Sequence, residues 1–190
     1  MLTGNKDLDT TILNNLEDRD LINYCQTNKS AEALCDDQSF WLQRIMSKFP
    51  YLGLDILNKY KNNQLWSEYY IKDLRKVALS NNMNNTLFNA SKLGRLDHVM
   101  IAINNGADIH YRSDYAIMSA SRHGHIDVIR YLVNQGANIH VWDDGPFRSA
   151  SQYGYIDMVR YLVSKGANIH AHDDYAIRWA TKNGHLDVVD

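Results

Sequence analysis

A repeat of 30 residues runs through the second half of this 190-residue chain and leaves few ways for it to fold. Segments beginning at Ala90, Ala120, Ala150 and Ala180 read ASKLGRLDHVM, ASRHGHIDVIR, ASQYGYIDMVR and ATKNGHLDVVD. Between them, at the same spacing, lie NNGADIH, NQGANIH and SKGANIH. Near-copies at a fixed short period describe a stack of identical supersecondary units, each burying its apolar face only against its neighbours. A single enzyme core does not repeat in this way.

Within one unit, Ile117, Ala120 and Ser121 fall at i, i+3 and i+4, the period of a short helix. Gly124 ends it, as Gly94, Gly154 and Gly184 do in the other copies, because glycine accepts the left-handed conformation that helix ends commonly need. Ile126, Val128, Ile129, Leu132 and Val133 form the apolar stripe of a second helix. Asp127 lies in its first turn, where a carboxylate complements the helix dipole. Gly136 and Ala137 close that helix, and Ile139 is expected to point back inward from the loop. The pattern predicts helix, tight turn, helix and extended loop, hence an all-α fold.

This pattern resembles the ankyrin repeat, on Ala120, Gly124, His125, Asp127, Val128 and Ile129 and on the loop entry Gly106, Ala107, Asp108 and Ile109. The resemblance implies an ankyrin solenoid over residues 85–190, with three complete units and a truncated fourth. The family's usual period is about 33 residues. The missing residues fall between the His110 and Tyr115 columns, which implies a shortened β-hairpin finger. The family's Thr-Pro-Leu-His opening is replaced by Tyr115-Ala116-Ile117-Met118 and its counterparts, leaving no Thr or His there for the usual hydrogen bonds. The compact 30-residue form is similar to arrays of giant DNA viruses of amoebae, which would place the protein in the host cytoplasm.

His110, His140 and His170 recur in one column, but successive units are about 10 Å apart and zinc needs its ligand nitrogens at about 2 Å. They read as loop imidazoles bonded to neighbouring backbone, as do His125 and His185. No Ser, Cys or carboxylate pair shows catalytic spacing, and no glycine-rich phosphate loop is present. The expectation is a protein that is no enzyme, with no cofactor and no metal. A net charge of −2 supplies no broad field for nucleic acid or an anionic membrane. No apolar run approaches the length of a membrane span, and no secretory signal is visible. Cys25 and Cys35 read as reduced core thiols of a cytoplasmic protein.

Ahead of the repeats the pattern changes. Leu8, Ile12, Leu13 and Leu16 mark one amphipathic stretch, and Leu21, Ile22, Tyr24 and Cys25 begin a second helix for which Asp18 or Asp20 can serve as N-cap. Ala31, Ala33, Leu34 and Cys35 form a third helix. Asp36 or Asp37 can cap a fourth, carrying Phe40, Trp41, Ile45 and Met46, and Pro50 stops it. The order Leu8, Ile12-Leu13, Leu16, Leu21, Cys25, Leu34 and Phe40-Trp41 resembles an F-box over residues 1–50, although the family's Leu-Pro start is Leu8-Asp9 here. That resemblance implies docking of a Skp-type adaptor of a cullin ubiquitin ligase through Leu8, Ile12, Leu13, Leu16, Leu21 and Trp41. The other reading makes residues 1–60 a helical cap on the solenoid, leaving a scaffold or competitive inhibitor. Residues 51–84 read as a connector, with Trp66, Tyr70, Leu74 and Val77 on one face of a helix over 64–80 that packs on the first repeat.

Aligning the repeats on each other separates constant from variable columns. The variable ones are the finger (Tyr111, Arg112, Ser113; Val141, Trp142, Asp143; Ala171, His172, Asp173) and an exposed face of the first helix. That face includes Met118, Arg122 and His123, then Arg148, Gln152 and Tyr153, then Arg178, Trp179, Lys182 and Asn183. Aromatic and Arg side chains are the usual anchors of protein interfaces. Tyr111, Arg112, Met118, Arg122, Trp142, Arg148, Tyr153, His172, Arg178 and Trp179 are therefore the candidate contacts to a target protein. At the other end, Leu186, Val188 and Val189 begin a short stripe, and residues from about Ala180 are expected to be the least ordered of the array.

Overall fold

The computed structural model describes residue 13, residues 15–28 and residues 32–189, and every regular element among them is helical. Leu8 and Ile12 lie outside the described residues. The chain divides into two compact units, Met1–Lys76 and Val77–Asp190.

The first unit contains α1 (Asp18–Thr27), α2 (Glu32–Cys35), α3 (Gln38–Lys48) and α4 (Leu54–Lys61). A helical run follows: α5 (Trp66–Glu68), a π-helical Tyr69–Leu74, then α6 (Arg75–Ala78). Asp37 starts α3 as its spacing predicts, its carboxylate accepting from the Ser39 N–H at 2.8 Å. Asp18 does not cap α1. Glu17 holds that position without a side-chain bond, and Asp18 accepts from Arg44 at 2.6 Å. The widened π turn puts Tyr69 and Tyr70, adjacent in sequence, both in the core.

Leu13, Leu21 and Trp41, three of the candidate docking residues, are core side chains. Their exposures are 0%, 0% and 2%, and Leu16 is half-buried. Trp41 packs on Phe40 and Tyr70 and donates from Nε1 to the Cys35 carbonyl at 2.6 Å. An indole with its ring packed and its N–H satisfied has nothing left to offer a partner. Arg44, 3% exposed, donates to the Leu16 carbonyl and to Asp18. Burial opposes ionisation of Asp18, but hydrogen bonds from Tyr70 and Arg44 outweigh it and hold the carboxyl below its usual range. Cys25 and Cys35 are not reduced: they form a disulfide between α1 and α2. The two Cα atoms lie 5.6 Å apart, inside the reach of a bridge, which a sequence separation alone does not reveal. The cytoplasmic reading thereby loses the support it drew from reduced thiols.

The second unit stacks helix pairs. The inner helices are α7 (Met83–Leu93), α9 (Tyr111–Arg122), α11 (Val141–Gln152) and α13 (Ala171–Asn183). The outer ones are α8 (Leu96–Asn104), α10 (Ile126–Asn134), α12 (Ile156–Ser164) and the short α14 (Leu186–Val189). Inner helices neighbour inner helices and outer helices neighbour outer ones. Ile117, Val128, Ile129 and Leu132 are fully buried between them, with Ala120, and each of the four branched side chains contributes about 1.5–3 kcal/mol. Ile139 turns inward as expected, at 7% exposure.

Gly94, Gly124, Gly154 and Gly184 sit at φ of +70°, +78°, +74° and +78°, the left-handed turn their column predicts. The first three meet a second constraint. A Cβ on Gly124 would lie 2.8 Å from the Tyr155 ring, and one on Gly94 or Gly154 would strike His125 or His185. The residue after each turn glycine thus packs on the glycine of the preceding unit.

Candidate binding surface

No strand is formed among the described residues, so the finger is more than shortened. It becomes a single left-handed turn, with φ near +55° at Arg112–Asp114, Trp142–Asp144 and His172–Asp174. Non-glycine residues in this region cost roughly 1–2 kcal/mol each, and Asp and His tolerate it best. Asp or His fills six of these nine positions.

A repeated network holds the turn. The Asp114 carboxylate accepts from His110 Nδ1 at 3.0 Å and from the Asn138 N–H of the next unit at 2.9 Å. Asp144 does the same with His140 and Asn168 at 2.9 and 3.1 Å. Because a carboxylate only accepts, Nδ1 carries the hydrogen in each case. The Asn138 carboxamide oxygen in turn accepts from the His140 N–H. Backbone is therefore not the partner of the His110 column, as the sequence suggested, since an ionised acceptor four residues on is the better one. His125 does bond backbone, at the Lys92 carbonyl. Where the turn carbonyls remain open, Arg148 donates to those of Trp142 and Asp143, and Arg178 to that of His172.

The turn and the inner helices present a line of rings and cations. Phe88 stacks on Tyr115 at 5.0 Å, and Tyr115 leans on Trp142 at 5.7 Å. Farther along, Arg148 lies over Tyr175 at 5.0 Å, Tyr175 stacks on Trp179 at 5.5 Å, and Lys182 lies 4.3 Å over Trp179. Phe88, Lys92, Tyr115, Met118, Arg122 and Trp142 line a cleft of about 190 Å³.

The ten candidate contacts do not share one fate. Trp142 and Tyr153 are 47% and 46% exposed, and Arg112, Arg122, His172 and Arg178 are exposed. Tyr111, Arg148 and Trp179 are half-buried. Met118 is not on the exposed face: at 5% exposure it packs against Gly145, where a Cβ would come 2.8 Å from its Sδ. It forms the floor of the cleft. Phe88, Lys92 and Tyr115 were missed as surface residues. Their signal was present, since Phe88 occupies the Met118, Arg148 and Arg178 column one unit earlier.

Helix pairs at a fixed period, a glycine turn and a loop stapled to the next unit define the architecture. The family model "Ankyrin repeats (3 copies)" matches residues 59–143 and 87–173, well over half of the chain. The chain belongs to the ankyrin-repeat family. No curated protein matches it. Ankyrin repeats serve protein–protein interaction, so the partners implied here are proteins. The match opens at residue 59, ahead of the first inner helix at Met83. Among the described residues no His, Cys, Asp or Glu cluster could hold a metal ion, and no helix is long and apolar enough to cross a membrane.

Proposed function

We propose that this ankyrin-repeat protein holds a target protein along its inner-helix face. What carries the reading is the row of half-buried rings and cations on the inner helices and stapled turns, with Trp142 and Tyr153 exposed among them. Aromatic and Arg anchors on a preorganised surface are where binding energy concentrates, and truncating one such anchor costs about 2 kcal/mol or more. Capture from lysate by wild type and by Trp142→Ala/Tyr153→Ala tests it. The expected result is a target lost from the double variant at an unchanged melting temperature. A target retained equally by both proteins overturns the use of this face.

For residues 1–50, docking of a Skp-type ligase adaptor is the finer reading, and it rests on the F-box-like order of residues. Burial of Leu13, Leu21 and Trp41 takes these three side chains out of a docking face, which favours the alternative of an ankyrin scaffold or competitive inhibitor with no ubiquitin role, residues 1–60 being only a helical cap. Co-purification with a Skp-type adaptor, lost in Ile12→Asp, would support docking, and an adaptor that never binds wild type would end it.

A further inference from the structure

We propose that the partner segment is acidic: an extended stretch of protein with a carboxylate about every third residue and one large apolar side chain beside them. This rests on the inner-helix face being the binding face. The argument starts from the placement of charge. The chain has more acids than bases, with Asp and Glu at 22 and Lys and Arg at 20. Yet residues 83–93, 115–123, 145–153 and 175–183, the right-handed parts of the inner helices and their ends, contain Lys92, Arg122, Arg148, Arg178 and Lys182 and no acid at all. The outer helices carry both signs, Asp97, Asp127, Asp157 and Asp187 together with Arg130 and Arg160.

A basic residue in the last turn of a helix is favoured by the dipole. That accounts for Lys92, Arg122 and Lys182, not for the absence of acids from four helices or for Arg148 and Arg178 farther forward. The acids nearest the face are in the turns. Asp114 and Asp144 are buried and bonded to His and backbone N–H. Asp143, Asp173 and Asp174 are exposed, Asp143 lies 3.6 Å from His172, and Asp174 accepts from His170. Exposed Lys92, Arg122 and Lys182 sit at the opposite end of the inner helices, about 10 Å from those turns by helical rise. The face therefore has a basic strip with an apolar cleft beside it.

Spacing selects the ligand. Neighbouring units are about 10 Å apart, and an extended peptide advances about 3.3 Å per residue. One carboxylate in every three residues then meets Lys92, Arg122 and Lys182, with Gln152 holding the strip's third place as a neutral hydrogen-bonding group. A nucleic-acid strand, with a phosphate about every 3.4 Å of helix axis, would leave most of its charges unmatched. The cleft of about 190 Å³ is smaller than the ~300–1,000 Å³ of small-molecule sites. It suits one aromatic or aliphatic side chain, walled by Phe88, Tyr115 and Trp142.

Selection of displayed random peptides of about 12 residues against the full chain tests this. The expected peptides are enriched in Asp and Glu. They bind about tenfold or more weakly when those residues become amides, and likewise to Arg122→Glu/Lys182→Glu. Arg122→Gln/Lys182→Gln, a milder change, should give a smaller loss in the same direction, and wild-type binding should weaken with salt. Peptides without acid enrichment, indifferent to both double variants but lost in Trp142→Ala, overturn the acidic partner and leave the binding face standing. If selected peptides depend on neither Trp142 nor the cations, both readings fall. A single-stranded oligonucleotide or anionic vesicle that binds through Arg122 and Lys182 more tightly than the acidic peptides also overturns the proposal.

Discussion

Ile117, Phe147 and Ile177 occupy one column of the repeat, yet their exposures are 0%, 4% and 47%. Ile139 and Ile169, another matched pair, differ as sharply, at 7% and 49%. Beside Ile177, an apolar cleft of about 240 Å³ opens between Phe147, Val159, Val163 and Val188. Asp144 is buried and holds the Asn168 amide, whereas the Asp174 side chain is 54% exposed and, among the described residues, accepts from His170 at 2.6 Å. The same residue type at the same place in its unit thus has two environments. Burial in a stack belongs to the interface between units, and the inner units have a neighbour on both sides.

The largest effect should come from the core column. Ile117→Ala is expected to cost about 2–5 kcal/mol, and Ile177→Ala about 1 kcal/mol or less, because half of the latter side chain already meets water. Denaturant melts of the two variants check it, and equal midpoints would break the comparison. Next come the turn glycines. Gly124→Val and Gly184→Val share a left-handed strain of roughly 1–2 kcal/mol. Only Gly124 also faces a ring, with Tyr155 at 2.8 Å from a Cβ, whereas Gly184 has open space. The Gly124 variant should lose about 1 kcal/mol more; if the two melt together, the ring contact yields without cost. The smallest difference concerns the turn staple. Asp144→Ala should cost about 1 kcal/mol and speed hydrogen exchange at the Asn168 amide, while Asp174→Ala should stay within about 0.5 kcal/mol. Unchanged exchange at Asn168 would remove the staple from the account.

The two units were legible to different degrees for a physical reason. In the array each column is sampled several times, so Ala120, Gly124 and Val128 stand out as scaffold and Trp142 and Arg122 as surface. Met118 was misplaced because its column holds Phe88, Arg148 and Arg178, and the space for a buried Met exists only because Gly145 faces it. In the first unit nothing repeats. Leu13, Leu21 and Trp41 at helical spacing fit a core and a docking face equally well, and only their neighbours distinguish the two. Arg44 gave no signal, since a basic residue on a helix ordinarily points to water, and here its partner Asp18 lies 26 residues away. The Cys25–Cys35 bridge likewise depends on how α1 and α2 fold back on each other.

By itself the sequence determined the helix pair, the glycine turns at Gly94, Gly124, Gly154 and Gly184, and the stacking of units, because period and backbone permissiveness are local properties. It also carried the segregation of Lys92, Arg122 and Lys182 from the acids, once the inner helices were known. Only the tertiary structure decided that Asp114 and Asp144 staple each unit to the next, that the finger closes as a left-handed turn, and that Ile177 stays open where Ile117 does not. The staple and the burial of the Ile117 column turn on contacts between units, the staple joining residues 24 positions apart, which no local pattern encodes.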